Sequence, residues 1–202
     1  MAALLAFDTS AAHCAVAVLR DGLVVASRAE AMAKGQAERL MPLVAETLGE
    51  AGIAMEALDA IAVGVGPGNF TGIRLSVAAA RGLSLSLGIP AIGVTSLEAL
   101  AEGAPRPVLA LLDARRGAVY AQLFAPGGAE PPALVEDPAL LPAGLPRVGE
   151  GPEAAPAAMP LAEAIGRVAL SRIGQPAARP APLYIRPADA APPRDPAPAI
   201  LG

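Results

Sequence analysis

The chain has 202 residues, a net charge of −4 and only 2% aromatic residues. That length allows one large domain or two small ones. An acidic chain with three Phe, two Tyr and no Trp lacks the basic patch and the stacking rings with which proteins grip nucleic acid by themselves. The single cysteine, Cys14, excludes an internal disulfide framework and is typical of a reducing compartment.

The sequence predicts a cytoplasmic protein without membrane contact. The apolar start at residues 1–7 has no basic segment before it and is interrupted by Asp8, a pattern that does not match a signal peptide. Arg74 and Arg81 break the longest apolar run, so no membrane span is expected.

Proline content divides the chain. Residues 1–100 hold three prolines, and residues 101–202 hold nineteen. Because proline interrupts regular elements, long helices are predicted only in the first half. We therefore predict an N-terminal subdomain over residues 1–103, a C-terminal subdomain over residues 104–187 and a disordered tail over residues 188–202.

The first half has the pattern of a three-strand meander followed by alternating helices and strands. Asp21 and Gly22 predict a hairpin turn, since both central residues of a type I′ turn need positive φ. Apolar residues at helical spacing predict a helix over Gln36–Ala51, although Pro42 inside it implies a kink or a later start. The predicted strands are residues 4–9, 14–19, 23–28, 61–65 and 91–95, and the further helices are residues 71–87 and a short helix to residue 101 capped by Ser96.

The second half begins as a copy of the first. A shift of 105 residues places Asp8 on Asp113 and Cys14 on Val119 without a gap, which suggests a duplicated unit. Strands are predicted at residues 108–113 and 118–124, followed by a helix at 161–173 and a short strand at 182–186. This order predicts an actin-like, ribonuclease-H-like α/β fold with a mixed sheet, duplicated with a degenerate second half.

The loop at residues 66–72, Gly-Pro-Gly-Asn-Phe-Thr-Gly, links a buried strand to a helix N-terminus. Free backbone N–H groups and the helix dipole suit such a place to an anion or nucleotide. The alternative is that the glycines only allow a tight turn while Thr71 caps the helix. A P-loop lysine is missing, which excludes that nucleotide motif. The residues of this candidate loop are Gly66, Gly68, Asn69 and Thr71.

Two aspartates and the His13–Cys14 pair are the other candidates for chemistry. Asp8 and Asp113 end apolar strands at corresponding points of the two halves, where carboxylates of actin-like enzymes face a cleft and hold Mg²⁺ through water. The alternative is that each caps its own turn. His13 and Cys14 are adjacent on a strand and point to opposite faces, so we expect no catalytic dyad.

Four stretches, at residues 7–10, 66–74, 113–120 and 183–189, closely resemble in order and spacing the TsaB family, a subunit of the bacterial tRNA threonylcarbamoyladenosine machinery. The resemblance covers residues 4 to 189 and implies a non-catalytic role in binding and supporting a TsaD-type threonylcarbamoyltransferase. It further implies a TsaE-type ATPase as a second partner. An apolar helix pair would also allow a homodimer when the partner is absent, because such a pair can bury itself by two-fold symmetry. The low charge and the few aromatic rings predict only indirect contact with tRNA. No cofactor is implied, except ATP or ADP within the complex.

The first long helix sets this chain apart from the catalytic relative. That relative holds a metal with two histidines spaced His-x-x-x-His, whereas residues 34–40 here contain no histidine. Without two imidazoles one helical turn apart, no such metal site assembles. The alternative function is a free-standing actin-like ATP-dependent enzyme or a glycoprotease-like peptidase.

The two long helices are expected to form the partner interface. Small residues recur at every fourth position of the second helix in two rows, one of them Ala78, Gly82 and Ser86, and such rows let another helix approach closely. On the first helix, Leu43 is placed opposite the predicted core stripe, which consists of Ala37, Leu40, Met41, Val44, Leu48 and Ala51. A helix pair covered entirely by its own chain is the alternative. The predicted contact residues are Leu40, Leu43, Val44, Thr47, Gly72, Ser76, Ala80 and Ser84.

Overall fold

The computed structural model describes residues 2–176 and 178–186, which form ten strands in two sheets and four α-helices. The predicted tail at 188–202 lies outside the described residues. The first sheet contains β1 Ala3–Asp8, β2 His13–Arg20, β3 Leu23–Ala31, β4 Ala60–Gly64 and β5 Ala91–Val94. The second contains β6 Val108–Asp113, β7 Val119–Ala125, β8 Gly128–Ala129, β9 Ala133–Val135 and β10 Arg147–Gly149. The helices are α1 Gln36–Ala51, α2 Phe70–Leu87, α3 Ser96–Ala101 and α4 Leu161–Leu170.

The first sheet has the strand order β3-β2-β1-β4-β5. Strands β1 to β3 are antiparallel, while β4 lies parallel to both β1 and β5. The turn between β2 and β3 has positive φ at Asp21 and Gly22, as the type I′ prediction requires. The predicted meander and the central parallel strand are therefore confirmed, and the fold is the actin-like α/β fold.

The second sheet repeats the first in shortened form. Its order β10-β6-β7-β8 corresponds to β4-β1-β2-β3, and β9 also pairs with β7. The third strand of the copy is thus split into β8 and β9, with Pro131 and Pro132 between them. The connection between the two paired strands is one residue shorter than in the first half, since Asp8 pairs with Ala15 whereas Asp113 pairs with Val119. The structure therefore confirms a duplicated, degenerate fold.

Helices cover both faces of the first sheet. Helices α1 and α2 share one hydrophobic core on one face, and α4 covers the other face. Helix α3 packs instead on the second sheet. Helix α1 spans its predicted residues with Pro42 inside it and ends at Gly52, which caps it with a φ of 61°. In the described residues, no helix is both long and apolar enough to cross a membrane.

Three local predictions need correction. Residues 182–186 form no strand, although the Leu183 backbone N–H donates to the Val65 carbonyl at 2.8 Å. Helix α4 ends at Leu170 rather than at residue 173. Helix α3 is capped by Thr95 and not by Ser96, because the Thr95 hydroxyl and the Glu98 carboxylate form a reciprocal capping box.

The predicted interface residues are corrected by their burial. Leu40, Leu43, Val44 and Ala80 belong to the core beneath α1 and α2. A side chain without exposed surface cannot contact a partner. The core stripe of α1 is also rotated from the predicted one, since Leu43 is fully buried while Met41 is 40% exposed. Of the eight predicted contact residues, Ser84 alone is half-buried. The other seven are buried, namely Leu40, Leu43, Val44, Thr47, Gly72, Ser76 and Ala80.

The first turn of α2 lies directly against the turn between β1 and β2. The Asn69 backbone N–H donates to the Ser10 carbonyl at 2.6 Å, and the Thr9 hydroxyl donates to the Gly72 carbonyl at 2.7 Å. A Cβ added to Gly72 would lie 1.9 Å from the Thr9 carbonyl oxygen. Gly72 is therefore required by close backbone contact inside the chain, not by an approaching partner helix.

We predict opposite effects for two glycine-to-alanine changes within α2. Gly72→Ala should destabilise the protein by about 1–3 kcal/mol or more, because the β1–β2 turn must move away from the helix. Gly82→Ala is the matched control, since nothing lies within 4 Å of a Cβ added there. It should stabilise the helix by roughly 0.5–1 kcal/mol. Urea unfolding monitored by circular dichroism measures both, and equal stability of the two variants would contradict the close contact.

Candidate functional site

A cleft of about 1060 Å³ lies between the two halves of the molecule. Its walls are the β1–β2 turn, the start of α1, the glycine-rich loop before α2 and the loop after β6. The four stretches that resemble one family each contribute a lining residue, namely Ser10, Asn69, Asp113 and Arg186. The Arg186 guanidinium donates to the Ala114 carbonyl at 2.9 Å, which ties the last of these stretches to the second half. The tertiary structure therefore brings together motifs that are far apart in the sequence.

Asp8 caps its own turn, as the alternative interpretation proposed. It is fully buried, and its Oδ1 accepts hydrogen bonds at 2.8 Å from the Ser10 backbone N–H and from the Ser10 hydroxyl. The other oxygen, Oδ2, has no hydrogen-bond partner in the described structure and lies against Gly64, where an added Cβ would be 1.8 Å away. The expectation that Asp8 faces the cleft is therefore corrected, because its carboxylate has no exposed surface.

Asp113 differs from Asp8 in its exposure. It is exposed and lines the cleft, where its Oδ1 accepts from the Arg115 backbone N–H at 3.0 Å. This bond also caps a local turn. The two aspartates thus occupy equivalent strand ends but distinct environments, so they do not form a matched pair of carboxylates across the cleft. Among the described residues, no group of three or more His, Cys, Asp and Glu side chains is arranged to hold a metal ion.

The ion pair between His13 and Asp8 was not expected from the sequence. The His13 Nε2 lies 2.8 Å from Asp8 Oδ1 across the β1–β2 turn. The hydrogen bond to Asp8 raises the pKa of His13, against an opposing effect of burial, and the negative charges of Asp8 and Glu150 add to the rise. The sequence did hold a signal for this pair, namely an aspartate at the end of β1 and a histidine at the start of β2. Adjacent antiparallel strands bring these two ends together.

Cys14 is not part of a catalytic dyad, as predicted. Its side chain is buried on the opposite face of β2 from His13, whose Nε2 is already bonded to Asp8. Burial raises the pKa of the Cys14 thiol to about 11. A thiol with such a pKa is almost entirely protonated at neutral pH and is a poor nucleophile.

The glycine-rich loop before α2 is held by backbone contacts. Gly66 has a φ of 91°, and a Cβ added to Gly68 would lie 2.5 Å from the Ser10 carbonyl oxygen. Only glycine fits at position 68 without a shift of this backbone. The helix begins at Phe70, and the Asn69 side chain caps it by accepting from the Gly72 backbone N–H at 3.0 Å. In the alternative interpretation of this loop, the assignment of Thr71 as the cap is wrong, since Thr71 is the second residue of the helix and is exposed. Anion binding by this loop stays a prediction.

The sheet order, the duplicated hairpin and the cleft define a member of the actin-like class of proteins. A family model described as TsaD, tRNA N6-adenosine threonylcarbamoyltransferase, matches residues 24–152. The tRNA threonylcarbamoyladenosine biosynthesis protein TsaB of Escherichia coli is 40% identical over 122 residues, which are 58% of this chain and 52% of that protein. The TsaB protein of Bacillus subtilis is 39% identical over 127 residues, 60% of this chain and 54% of that protein. The chain thus aligns with about half the length of these curated relatives.

The solved structure of YeaZ from Pseudomonas aeruginosa matches over a larger part of the chain. It is 31% identical, has a TM-score of 0.76, and the match covers 91% of this chain and 100% of that one. A second Pseudomonas aeruginosa structure, of a protein with similarity to peptidase YEAZ, is 29% identical with the same TM-score over 92% of this chain and 100% of that one. The chain belongs to the TsaB family.

We predict that Asp8 determines the titration of His13. Because His13 is the single histidine, its ring protons give one NMR signal to follow with pH. Asp8→Asn should lower the pKa of His13, since the main interaction that raises it is lost.

The pairing also predicts how the stability of the protein depends on pH. The pKa of His13 is higher in the folded than in the unfolded chain, where it is about 6.5. The stability that this shift contributes is fully present below the unfolded pKa and is lost as the pH rises through the folded pKa. His13→Gln should therefore destabilise the protein more at pH 5.5 than at pH 9, and an equal loss at both would contradict the pairing.

Proposed function

We propose that this chain is a non-catalytic partner subunit in the biosynthesis of threonylcarbamoyladenosine in tRNA, and that it binds and supports a TsaD-type threonylcarbamoyltransferase. The observation that carries the proposal is the position of the single histidine, which is not available as a metal ligand on α1. His13 is bonded to the buried Asp8, and the first turns of α1 contain no imidazole. The relatives named for this pathway supply the process, and the missing metal ligands support a partner role within it.

The outer surface of α1 and α2 is the proposed docking surface for the transferase. Both helices cover the same face of the first sheet, so their exposed sides point the same way. On α2, Leu85 is 85% exposed and would contribute apolar area to a contact. Small neighbours would let a partner helix approach closely. The exposed residues that define this surface, called the outer face below, are Met41, Ala45 and Gly49 on α1 and Ala78, Gly82 and Leu85 on α2.

A network of ion pairs borders the outer face at α1. Arg39 joins Glu30 and Glu46, and Arg28 joins Glu46 and Glu50. The hydrogen bonds to Arg39 lower the pKa of Glu30 and Glu46. These charges are satisfied within the chain, so a partner need not neutralise them. The outer face would also allow a homodimer when the transferase is absent, since an apolar helix pair can bury itself by two-fold symmetry.

The cleft is proposed to become a ligand site only in the assembled complex. Its walls carry Lys34, Arg115 and Arg186 together with Glu38 and Glu150, so positive and negative groups are mixed. A lining of mixed charge does not by itself favour the binding of a phosphate chain. We therefore assign ATP or ADP, and contact with a TsaE-type ATPase, to the complex with partners, and we assign tRNA only an indirect contact.

We predict that Leu85→Glu weakens binding of the TsaD-type subunit by at least about tenfold, because a carboxylate would be desolvated without a partner. Leu140→Glu is the matched control, since Leu140 is 78% exposed on the second half, away from the outer face. Titration calorimetry with the purified transferase subunit measures both. Equal losses in the two variants would place the interface elsewhere, and no binding by the unsubstituted chain would reject the proposed partner.

The alternative is a free-standing ATP-dependent enzyme or a peptidase. We expect the isolated chain to hydrolyse neither ATP nor peptides at a useful rate, since the Asp8 carboxylate is buried and the Cys14 thiol is protonated. Asp8→Asn should change stability or assembly more than any turnover. Metal-dependent ATP hydrolysis by the purified chain that Asp8→Asn abolishes would establish the enzyme alternative instead.

A further inference from the structure

An arginine and two aromatic rings form an exposed cluster at the first turns of α2. The Arg74 guanidinium lies 3.7 Å above the centre of the Phe70 ring and 5.8 Å from the centre of the Tyr184 ring. The two rings are 4.8 Å apart, and the Arg74 Nε donates to the Tyr184 hydroxyl at 2.9 Å. Phe70 is 38% and Tyr184 is 42% exposed. The cluster, called the Arg74 anchor below, joins residues more than one hundred positions apart and was not expected from the sequence.

The Arg74 anchor offers hydrogen-bond donors to the solvent. In the part of the chain that the structure describes, only the Nε of Arg74 has a protein acceptor, and no carboxylate pairs with this guanidinium. Both Nη nitrogens are therefore available, and the Tyr184 hydroxyl, which accepts from Nε, can still donate its own proton. A donor-rich site with a positive charge selects an anionic acceptor. A carboxylate fits it best, because a guanidinium gives a carboxylate two parallel hydrogen bonds.

Stacking prepares the guanidinium for binding before a ligand arrives. The ring of Phe70 and the bond to Tyr184 fix a side chain that would otherwise lose rotamer freedom when bound. Preorganisation of this kind raises affinity by lowering the entropy cost of association. Arginine and tyrosine are also the residue types that most often dominate the energy of protein interfaces.

We propose that the Arg74 anchor binds a carboxylate of the partner protein at one end of the outer face. This inference rests on the proposed function, since Arg74, Ala78 and Leu85 follow one another at spacings of four and seven residues and share one side of α2. The anchor thus continues the apolar surface and gives it a charged, directional end. The apolar residues would supply buried area, and the arginine would fix the orientation of the partner.

A protein carboxylate is favoured over a nucleic-acid phosphate. The chain carries a net charge of −4, and the exposed side of α1 holds Glu38, Glu46 and Glu50. Proteins that bind a phosphate backbone neutralise several phosphates with clustered basic residues. A single guanidinium flanked by exposed aromatic rings on an acidic protein suits one acidic side chain at a protein interface instead.

The test compares arginine substitutions at two ends of the molecule. Arg74→Gln should weaken binding of the purified TsaD-type subunit by about 10- to 100-fold in titration calorimetry. Arg74→Lys should restore only part of the affinity, because an ammonium does not form the bidentate pair. Arg20→Gln is the matched control. Arg20 is exposed at the far end of β2, roughly 25 Å along the strand from the β1–β2 turn, and its loss should change the affinity less than twofold.

A second measurement separates binding from bracing. Tyr184→Phe keeps both rings but removes the bond from Arg74 Nε, so it should lower affinity less than Arg74→Gln does. If both changes lower the melting temperature and neither changes affinity, the cluster only holds the segment at residues 178–186, and the inference is overturned while the proposed function stands. Wild-type chain that does not bind the transferase subunit overturns both. Loss of tRNA retention by Arg74→Gln in the absence of the partner would overturn the assignment to a protein carboxylate.

Discussion

A close backbone contact joins the β1–β2 turn to the first turn of α2. A Cβ at residue 72 would lie only 1.9 Å from the Thr9 carbonyl oxygen, and the Ser10 carbonyl accepts from the Asn69 N–H. Only glycine allows helix and turn to approach so closely. This contact fixes the direction of α2, and with it the position of the outer face, of the Arg74 anchor and of one wall of the cleft.

The two halves of the fold share one hairpin pattern but differ in the helices that follow it. The first half has the long helix α1 between its third and fourth strands, whereas the proline-rich second half has only a short 3₁₀ turn, Pro138–Leu140, at the corresponding place between β9 and β10. Helix α4 from the second half then covers the free face of the first sheet, while α3 from the first half packs on the second sheet. This exchange of helices links the halves, and Arg172 strengthens it by bonding the Gly93 carbonyl and the Glu98 carboxylate.

Element order was predictable because it depends on local patterns. The Asp21–Gly22 turn, the bounds of α1 and the parallel strand β4 follow from turn chemistry, helical spacing and continuous apolar residues. The side of each helix that faces the sheet was not predictable. The helical spacing predicts Leu43 outside and Met41 inside, whereas Leu43 is fully buried and Met41 is exposed. The row through Ser76 and Ala80, predicted as a contact surface, is buried in the chain itself. In a helix rich in alanine and small residues, periodicity alone does not identify the face that meets the sheet.

By itself the sequence determined the class of fold, the duplication, the family and the absence of an imidazole pair on α1. These are properties of residue order and composition. Only the tertiary structure decided that Asp8 is buried and bonded to His13, that Asn69 caps α2, and that Arg74 lies between Phe70 and Tyr184. The Asp8–His13 and Asn69–Gly72 bonds are local, but the backbone geometry of the folded turn and helix start decided which of several possible partners and caps is used. The burial of Asp8 and the contact between Arg74 and Tyr184 depend on the packing of segments distant in the chain, which no local pattern encodes.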